Sequence, residues 1–318
     1  MIPGDKSYYP GSDVLINKFD IRDSEKLRKT EYRFVTIRET QARLQPAHGD
    51  FDLAHLQSIH KQLFQDVYDW AGKLREIDFA KRSNETGMIS RFMPAVVIDL
   101  KAEDLSKYIS DRNLLQGLNK LEFVKAITEV HTMVNELHPF REGNGRTARV
   151  FLSQLAMQAG YDLDLTQIDK ARWNSASHQA MQKNDPKNEA SPTLPGDQTA
   201  MLKIFQEAIK PTLAHAFVTE TRAEAIKQHP ALEQAYARLD AITQFVSTLP
   251  GRDVNQLMDI ERARVVDKLQ EGIIPPLNPY LQGRFATRET ARAMTLAAAA
   301  SASTSKKQVA THPRAMRF

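Results

Sequence analysis

Cysteine is absent from the 318 residues. Its absence removes disulfides, thiol nucleophiles, Cys-ligated zinc and iron–sulfur clusters, and a reducing compartment suits such a chain. Long apolar runs are missing as well. The richest late stretch, around 294–300, falls far short of the ~20 residues a membrane helix needs. The opening MIPGDKSYYPGSD has no basic segment leading into an apolar one, so no secretory signal is read. Two familiar site signatures are also lacking. Gly72-Lys73 has no glycine five positions earlier and is followed by Leu74, which excludes a P-loop, and HExxH does not occur. These absences predict a cytoplasmic protein with no membrane insertion.

What is present suits a globular chain of one or two domains: 42% of residues are hydrophobic and 26% charged. The net charge of +4 is unevenly spread. Beyond 283, Arg284, Arg288, Arg292, Lys306, Lys307, Arg314 and Arg317 stand against Glu289 alone, so a mildly acidic body carries a basic tail. The high isoelectric point therefore describes a tail and not a binding face.

Leu53, Leu56, Ile59, Leu63, Val67 and Trp70 recur at three- and four-residue spacing, predicting a helix over 51–71 that Gly72 stops. Two short runs with β-branched and aromatic residues flank Ser83-Asn84-Glu85-Thr86-Gly87, predicting a β-hairpin. Asn119 and Glu122 read as a capping box opening a helix that buries Phe123, Val124, Ile127, Val130 and Val134 and ends near His138. A further helix starts at about Asn144 and runs to Gly160, and another covers 198–209 after a proline-rich loop. Helices over 212–228, 230–248 and 254–270 predict a second, small domain. The expected fold is mainly α with one hairpin, divided into 1–209, 210–283 and a disordered basic tail, 284–318.

The chemistry concentrates in His138-Pro139-Phe140-Arg141-Glu142-Gly143-Asn144-Gly145-Arg146-Thr147-Ala148-Arg149. Glycines permit a sharp turn that aims backbone N–H groups inward, and a helix N-terminus adds partial positive charge. Arg146 and Arg149 are three apart, so both reach one side of a polyphosphate with planar forks. Glu142 suits a hard cation bridging phosphates. His138 takes a proton near neutral pH. A base, a carboxylate and a phosphate cradle within twelve residues point to phosphoryl or nucleotidyl transfer. His131, seven residues before His138 and about 10.5 Å along a helix at ~1.5 Å per residue, is too far to share a metal with it and reads as a packed or partly exposed helix residue.

HPFREGNGRTAR resembles the motif of the Fic family, HPFx(D/E)GNGRxxR, at every fixed position. FQDVYDWAGKLR at 64–75 is similar to the family's segment before a flap hairpin, and YYPGSDVLINKF at 8–19 to its N-terminal entry. The resemblance implies a compact helical enzyme that moves AMP from ATP onto a Tyr, Thr or Ser hydroxyl of a target protein. It implies that His138 deprotonates the hydroxyl and Glu142 holds Mg²⁺ against the α- and β-phosphates. Gly143, Asn144 and Gly145, with the Asn144 side chain, would cradle those phosphates, while Arg149 would grip the β-phosphate and Arg146 the γ-phosphate. Phe140 would anchor the loop. The 77–93 hairpin would pair with the target segment, with Lys81, Met88 and Phe92 able to clamp target or nucleotide. Relatives that phosphorylate instead carry Lys where Gly145 stands and lack the Glu-Gly before the Asn, so AMP transfer is favoured.

Many Fic proteins are silenced by a helix carrying (S/T)xxxE(G/N), whose Glu pairs with the arginine at position 146. DKLQEG at 267–272 comes nearest but has Asp at its first position. A separate small antitoxin is therefore expected. The basic C-terminus resembles export signals of type IV secretion, and HPALEQAYARLDAI is similar to modules on plasmid mobilisation proteins. A solvated tail and nucleic-acid electrostatics remain the other readings. The resemblance implies a bacterial toxin or secreted effector, with a bacterial type II topoisomerase or a host small GTPase as target. The alternative is an interaction or translocation protein that merely carries a Fic fold.

Overall fold

The computed structural model describes residues 5–47, 49–78, 80–82, 89–181, 195–247 and 254–276. Turn residues 83–88, with Met88, and the tail 284–318 lie outside them. The chain divides into two compact units between Ile209 and Lys210.

In the first unit, an entry segment closes on itself through a bridge between Tyr8 and Leu15. The Asn17 carboxamide accepts from the N–H groups of Phe19 and Ile21 and donates to the carbonyls of Leu15 and Ile21. Helix α1 (Ser24–Leu44) follows, with Asp23 accepting from the Lys26 N–H at its start. No part of this 21-residue helix was expected from the sequence.

Helix α2 (Leu53–Phe64), capped by Asp52, is shorter than the 51–71 stripe predicts. Past Phe64 the carbonyls find other partners. Lys18 reaches the Gln65 carbonyl through Nζ and the Val67 carbonyl through its backbone N–H, at 2.7 and 2.9 Å. Val67 and Tyr68 are buried from turns instead of a helix.

Strands β1 (Ala80–Arg82) and β2 (Ile89–Arg91) pair antiparallel in the register Lys81 opposite Ser90, as the hairpin reading expects. Helix α3 (Ile98–Ser110) leads to α4 (Lys120–Leu137), which carries the full Asn119/Glu122 capping box. Helix α5 (Asn144–Gln158) leads to strand β3 (Tyr161–Leu163) and helix α6 (Lys170–Ala180). After α7 (Thr199–Ala208), strand β4 (Ile209–Pro211) pairs with β3 where the chain leaves the first unit, adding a second small sheet to the one hairpin expected. Phe64, Phe123, Phe140, Phe151, Tyr161 and Phe205 fill one core, all essentially without exposed surface.

The second unit has its own core around Phe217, Leu232, Leu239, Val265 and Leu269. The stretch expected as one helix over 212–228 is two, α8 (Leu213–Thr219) and α9 (Arg222–Gln228). Glu220 turns extended and the Thr221 hydroxyl accepts from the Glu224 N–H, restarting the helix. Helices α10 (Leu232–Val246) and α11 (Val254–Gln270) complete it.

Candidate active site

Helix α4 ends on His138, whose backbone lies in the left-handed region at φ 41°. A non-glycine residue is held there only when its surroundings over-determine it. Those surroundings are visible. The His138 N–H bonds the Val134 carbonyl at 3.1 Å, and its carbonyl accepts from Arg75 Nε at 2.8 Å. The Phe92 ring lies parallel to the imidazole, centroids 3.6 Å apart and planes 15° apart.

Phe140 plunges into the core and stacks on His60 at 4.0 Å, as the anchoring role expects. Gly143, at φ 84°, opens α5, and a Cβ there would sit 2.3 Å from the Phe64 ring. Its carbonyl receives both the N–H and the hydroxyl of Thr147. The Asn144 side chain, expected to join the phosphate cradle, is engaged within the loop itself. It is buried and closes the loop, accepting from the Phe140 N–H at 2.9 Å and donating to the Phe140 carbonyl at 2.7 Å. A short buried carboxamide spanning four residues satisfies two otherwise unpaired backbone groups.

Gly145 is different from Gly143. Its φ is not left-handed and a Cβ there would meet nothing within 4 Å. The fold does not require glycine at 145. The opening N–H groups of an α-helix have no partner within it, so this turn suits an anion.

Arg146 and Arg149 project from α5 toward carboxylates on α1 and the loop. Arg146 bonds Glu31 at 2.5 Å and lies 3.4 Å from Glu142, with its guanidinium carbon 4.7 Å over the Phe64 ring. Burial works against that charge, but Glu31, Glu142 and Glu39 outweigh it and raise the arginine further. Tyr68 donates its hydroxyl to the other oxygen of Glu31. Burial pushes the Arg149 guanidinium down, reinforced by Arg146 and opposed by Glu39. Burial likewise lifts the Glu39 carboxyl, while Arg149 and Arg146 pull it back. The ion pair to Arg146 is thus made by the chain's own Glu31. Glu142, about half exposed, accepts the Gly143 N–H through Oε1 at 2.9 Å.

Two braces of the loop had no place in the sequence reading. His60 donates from Nε2 to the Glu142 carbonyl at 3.0 Å and accepts the Gly72 N–H on Nδ1 at 2.8 Å. Burial holds it neutral, pushed down to about 4. Arg141 is seized by the entry segment, with Nε 2.6 Å from Asp5 and a second nitrogen donating to the Tyr8 hydroxyl. Glu31 and Glu39 also went unread, though Leu27, Glu31, Val35 and Glu39 follow one another at four-residue steps. Carboxylates interrupting such a stripe signal a buried cation opposite. His131 is fully packed, edge-on to Trp173, and lines a small pocket together with His138, Asn144 and Gly145. Lys81 lies on β1, and Phe92 stacks on His138.

A histidine at a helix end, a glycine-opened helix and two arginines are thus brought together and braced from α1, α2 and the entry segment. The family model described as Fic/DOC family matches residues 50–156. The chain is 33% identical over 205 residues to the probable protein adenylyltransferase Fic of Escherichia coli K12, covering 64% of this chain and 92% of that protein. It is 37% identical over 168 residues to the protein adenylyltransferase VbhT of Bartonella schoenbuchensis, covering 53% of this chain and only 34% of that protein. Among solved structures, the BepC protein of Bartonella tribocorum, a VirB-translocated effector with bound AMPPNP, aligns with TM-score 0.56 and 29% identity over 64% of this chain and 96% of that one. The chain belongs to the Fic/DOC family, and the curated relatives it matches over these stretches are named protein adenylyltransferases.

Proposed function

We propose that this chain transfers AMP from ATP to a Tyr, Thr or Ser hydroxyl of a target protein. The observation that carries the reading is the contrast between the two glycines: Gly143 is demanded by the Phe64 ring, whereas Gly145 leaves open the face that an approaching phosphate needs. His138 takes the proton of the target hydroxyl, whose oxygen then bonds the α-phosphorus. The bond from that phosphorus to the bridging oxygen of the β-phosphate breaks, and pyrophosphate leaves. The first-turn amides of α5 meet the charge growing on the phosphoryl oxygens. Arg149 holds the β-phosphate. Arg146 reaches the γ-phosphate from its place beside Glu31 and Glu142.

Among the described residues no group of three or more His, Asp or Glu gathers as a metal cage. That fits Mg²⁺, which binds through one carboxylate plus substrate phosphates. Glu142, half exposed beside the first turn of α5, is the residue that would hold it, and the ion would supply charge neutralisation there.

Function as a bacterial toxin or as an effector delivered by type IV secretion belongs to the same reading, supported by the VirB-translocated relative. So does a separate small inhibitory partner, because (S/T)xxxE(G/N) occurs nowhere in the chain. No helix among the described residues is long and apolar enough to cross a membrane. A bacterial topoisomerase and a host small GTPase are the two target classes to separate.

The test uses ATP labelled at the α-phosphate in bacterial and in eukaryotic lysate, comparing wild type with His138→Ala. A labelled band that weakens at least ~100-fold in the variant is expected, since a positioned base contributes about 10²–10⁴. The lysate in which it appears distinguishes toxin from effector. Equal labelling by His138→Ala, or label arriving from the γ-phosphate instead, would overturn the reading.

A further inference from the structure

Arg75 lies outside the 138–149 run, and none of the chemistry above uses it. Its side chain has no exposed surface. The guanidinium donates to the carbonyls of His138 and Ile77, each at 2.8 Å, to that of Met93, and to that of Leu137 at 3.4 Å. Its backbone N–H adds a bond to the Pro139 carbonyl at 2.9 Å. These acceptors come from three segments: the end of α4, the chain entering β1 and the chain leaving β2. A parallel tie joins the Met93 N–H to the Glu136 carbonyl at 2.9 Å, and Phe92, one residue before Met93, is the ring stacked on His138.

The carboxylate of Asp78 lies 3.6 Å from the guanidinium, itself largely exposed and accepting the Ala95 N–H at 2.6 Å. Burial pushes Arg75 down from its usual range, with Asp78 opposing. A buried cation is a costly way to fill space. A planar fork of five donors is, however, the one side chain able to satisfy carbonyls converging from three directions; a lysine ammonium has neither the reach nor the fixed geometry.

We infer that Arg75 is a positioning residue for the transfer reaction: it fixes the left-handed turn at His138 and locks that turn to both roots of the β1–β2 hairpin. The base and a target segment laid along the hairpin then arrive in one register. This rests on the reading of His138 as the base.

The full-length variants Arg75→Ala, Arg75→Lys and Asp78→Asn are compared with His138→Ala, following incorporation of α-labelled AMP into lysate protein. For Arg75→Ala the maximal rate falls about 100-fold, the scale expected when a reacting group is misplaced by ~1 Å. The ATP concentration giving half the maximal rate stays within about twofold, because the 143–149 cradle is held separately. Added guanidinium ion restores part of the rate, and Arg75→Lys stays low. A wild-type rate in Arg75→Ala would overturn the inference. So would a fall in rate matched by a rise in half-saturating ATP with no response to guanidinium. If Arg75→Ala does not fold, Asp78→Asn decides: a several-fold lower rate at unchanged melting temperature supports the role, and an unchanged rate overturns it. Undiminished labelling by His138→Ala would instead sink the underlying assignment of the base.

Discussion

Gly143 and Gly145 stand two residues apart in one motif and answer to different demands. At 143 a methyl group would strike the Phe64 ring at 2.3 Å on a backbone already at φ 84°. Gly143→Ala therefore costs roughly 2–4 kcal/mol, from left-handed strain plus overpacking, and a thermal melt should fall by several degrees. Gly145→Ala has room and sits inside α5, where alanine is the better residue by about 0.5–1 kcal/mol. Its melt should hold or rise while AMP transfer drops about 100-fold through displaced phosphates. A destabilised Gly145→Ala would show that the fold, and not the ligand, selects that glycine. The sequence made both glycines conspicuous but could not separate them, because the difference is a phenyl ring contributed from 79 residues earlier. Asn144 teaches the same point. Its motif position was legible, but its use in closing the loop on Phe140 required the folded turn.

At the scale of elements, buried histidines set how the site's scaffold responds to acid. His60 ties α2 to the loop before α5 and is pushed down to about 4 by burial. His131, on α4, is pushed down to about 3 by burial. In the unfolded chain each titrates near 6.5, so below that pH the unfolded state takes up protons that the native state refuses. Their contribution to stability is complete above about pH 6.5 and is lost as pH falls toward 4, roughly 3 kcal/mol for His60. Urea unfolding at pH 7.5 and at pH 5 should show the loss, and His60→Asn should show less of it. An identical pH slope in both proteins would remove His60 from the account. These histidines sit on stripes that hydrophobic spacing reads well, which is why α4 and its capping box were recognised. Spacing misled at 65–71, where Val67 and Trp70 continue the helical rhythm but Lys18 claims the carbonyls a helix would need. It gave no warning of α1, whose polar surface is relieved by few apolar residues and whose Glu31 and Glu39 make sense only against Arg146 and Arg149.

For the whole molecule, the two separate cores suggest where activity resides. Every residue of the site, from Asp5 to Arg149, belongs to the first unit, and the second unit packs around its own Phe217 and Leu239. A chain ended at Ile209 is expected to melt cooperatively and to label lysate protein from α-labelled ATP at a rate within about threefold of the full chain, as independent domains do. A dead but folded truncation would assign the 210–318 region a part in catalysis or target choice.

The sequence by itself determined the local instructions: caps, turns, helix stripes, and a twelve-residue motif whose chemistry is contiguous and therefore readable in one dimension. That sufficed for the class of fold and for the family. Tertiary structure alone decided what holds the motif in shape. Glu31, His60, Arg75, Phe92 and the Asp5–Tyr8 pair reach it from separate stretches of chain, satisfying buried charges and backbone groups whose partners have no fixed spacing in sequence. Hydrogen bonds and ion pairs act over about 3 Å of space regardless of how many residues lie between, so only the folded chain shows them.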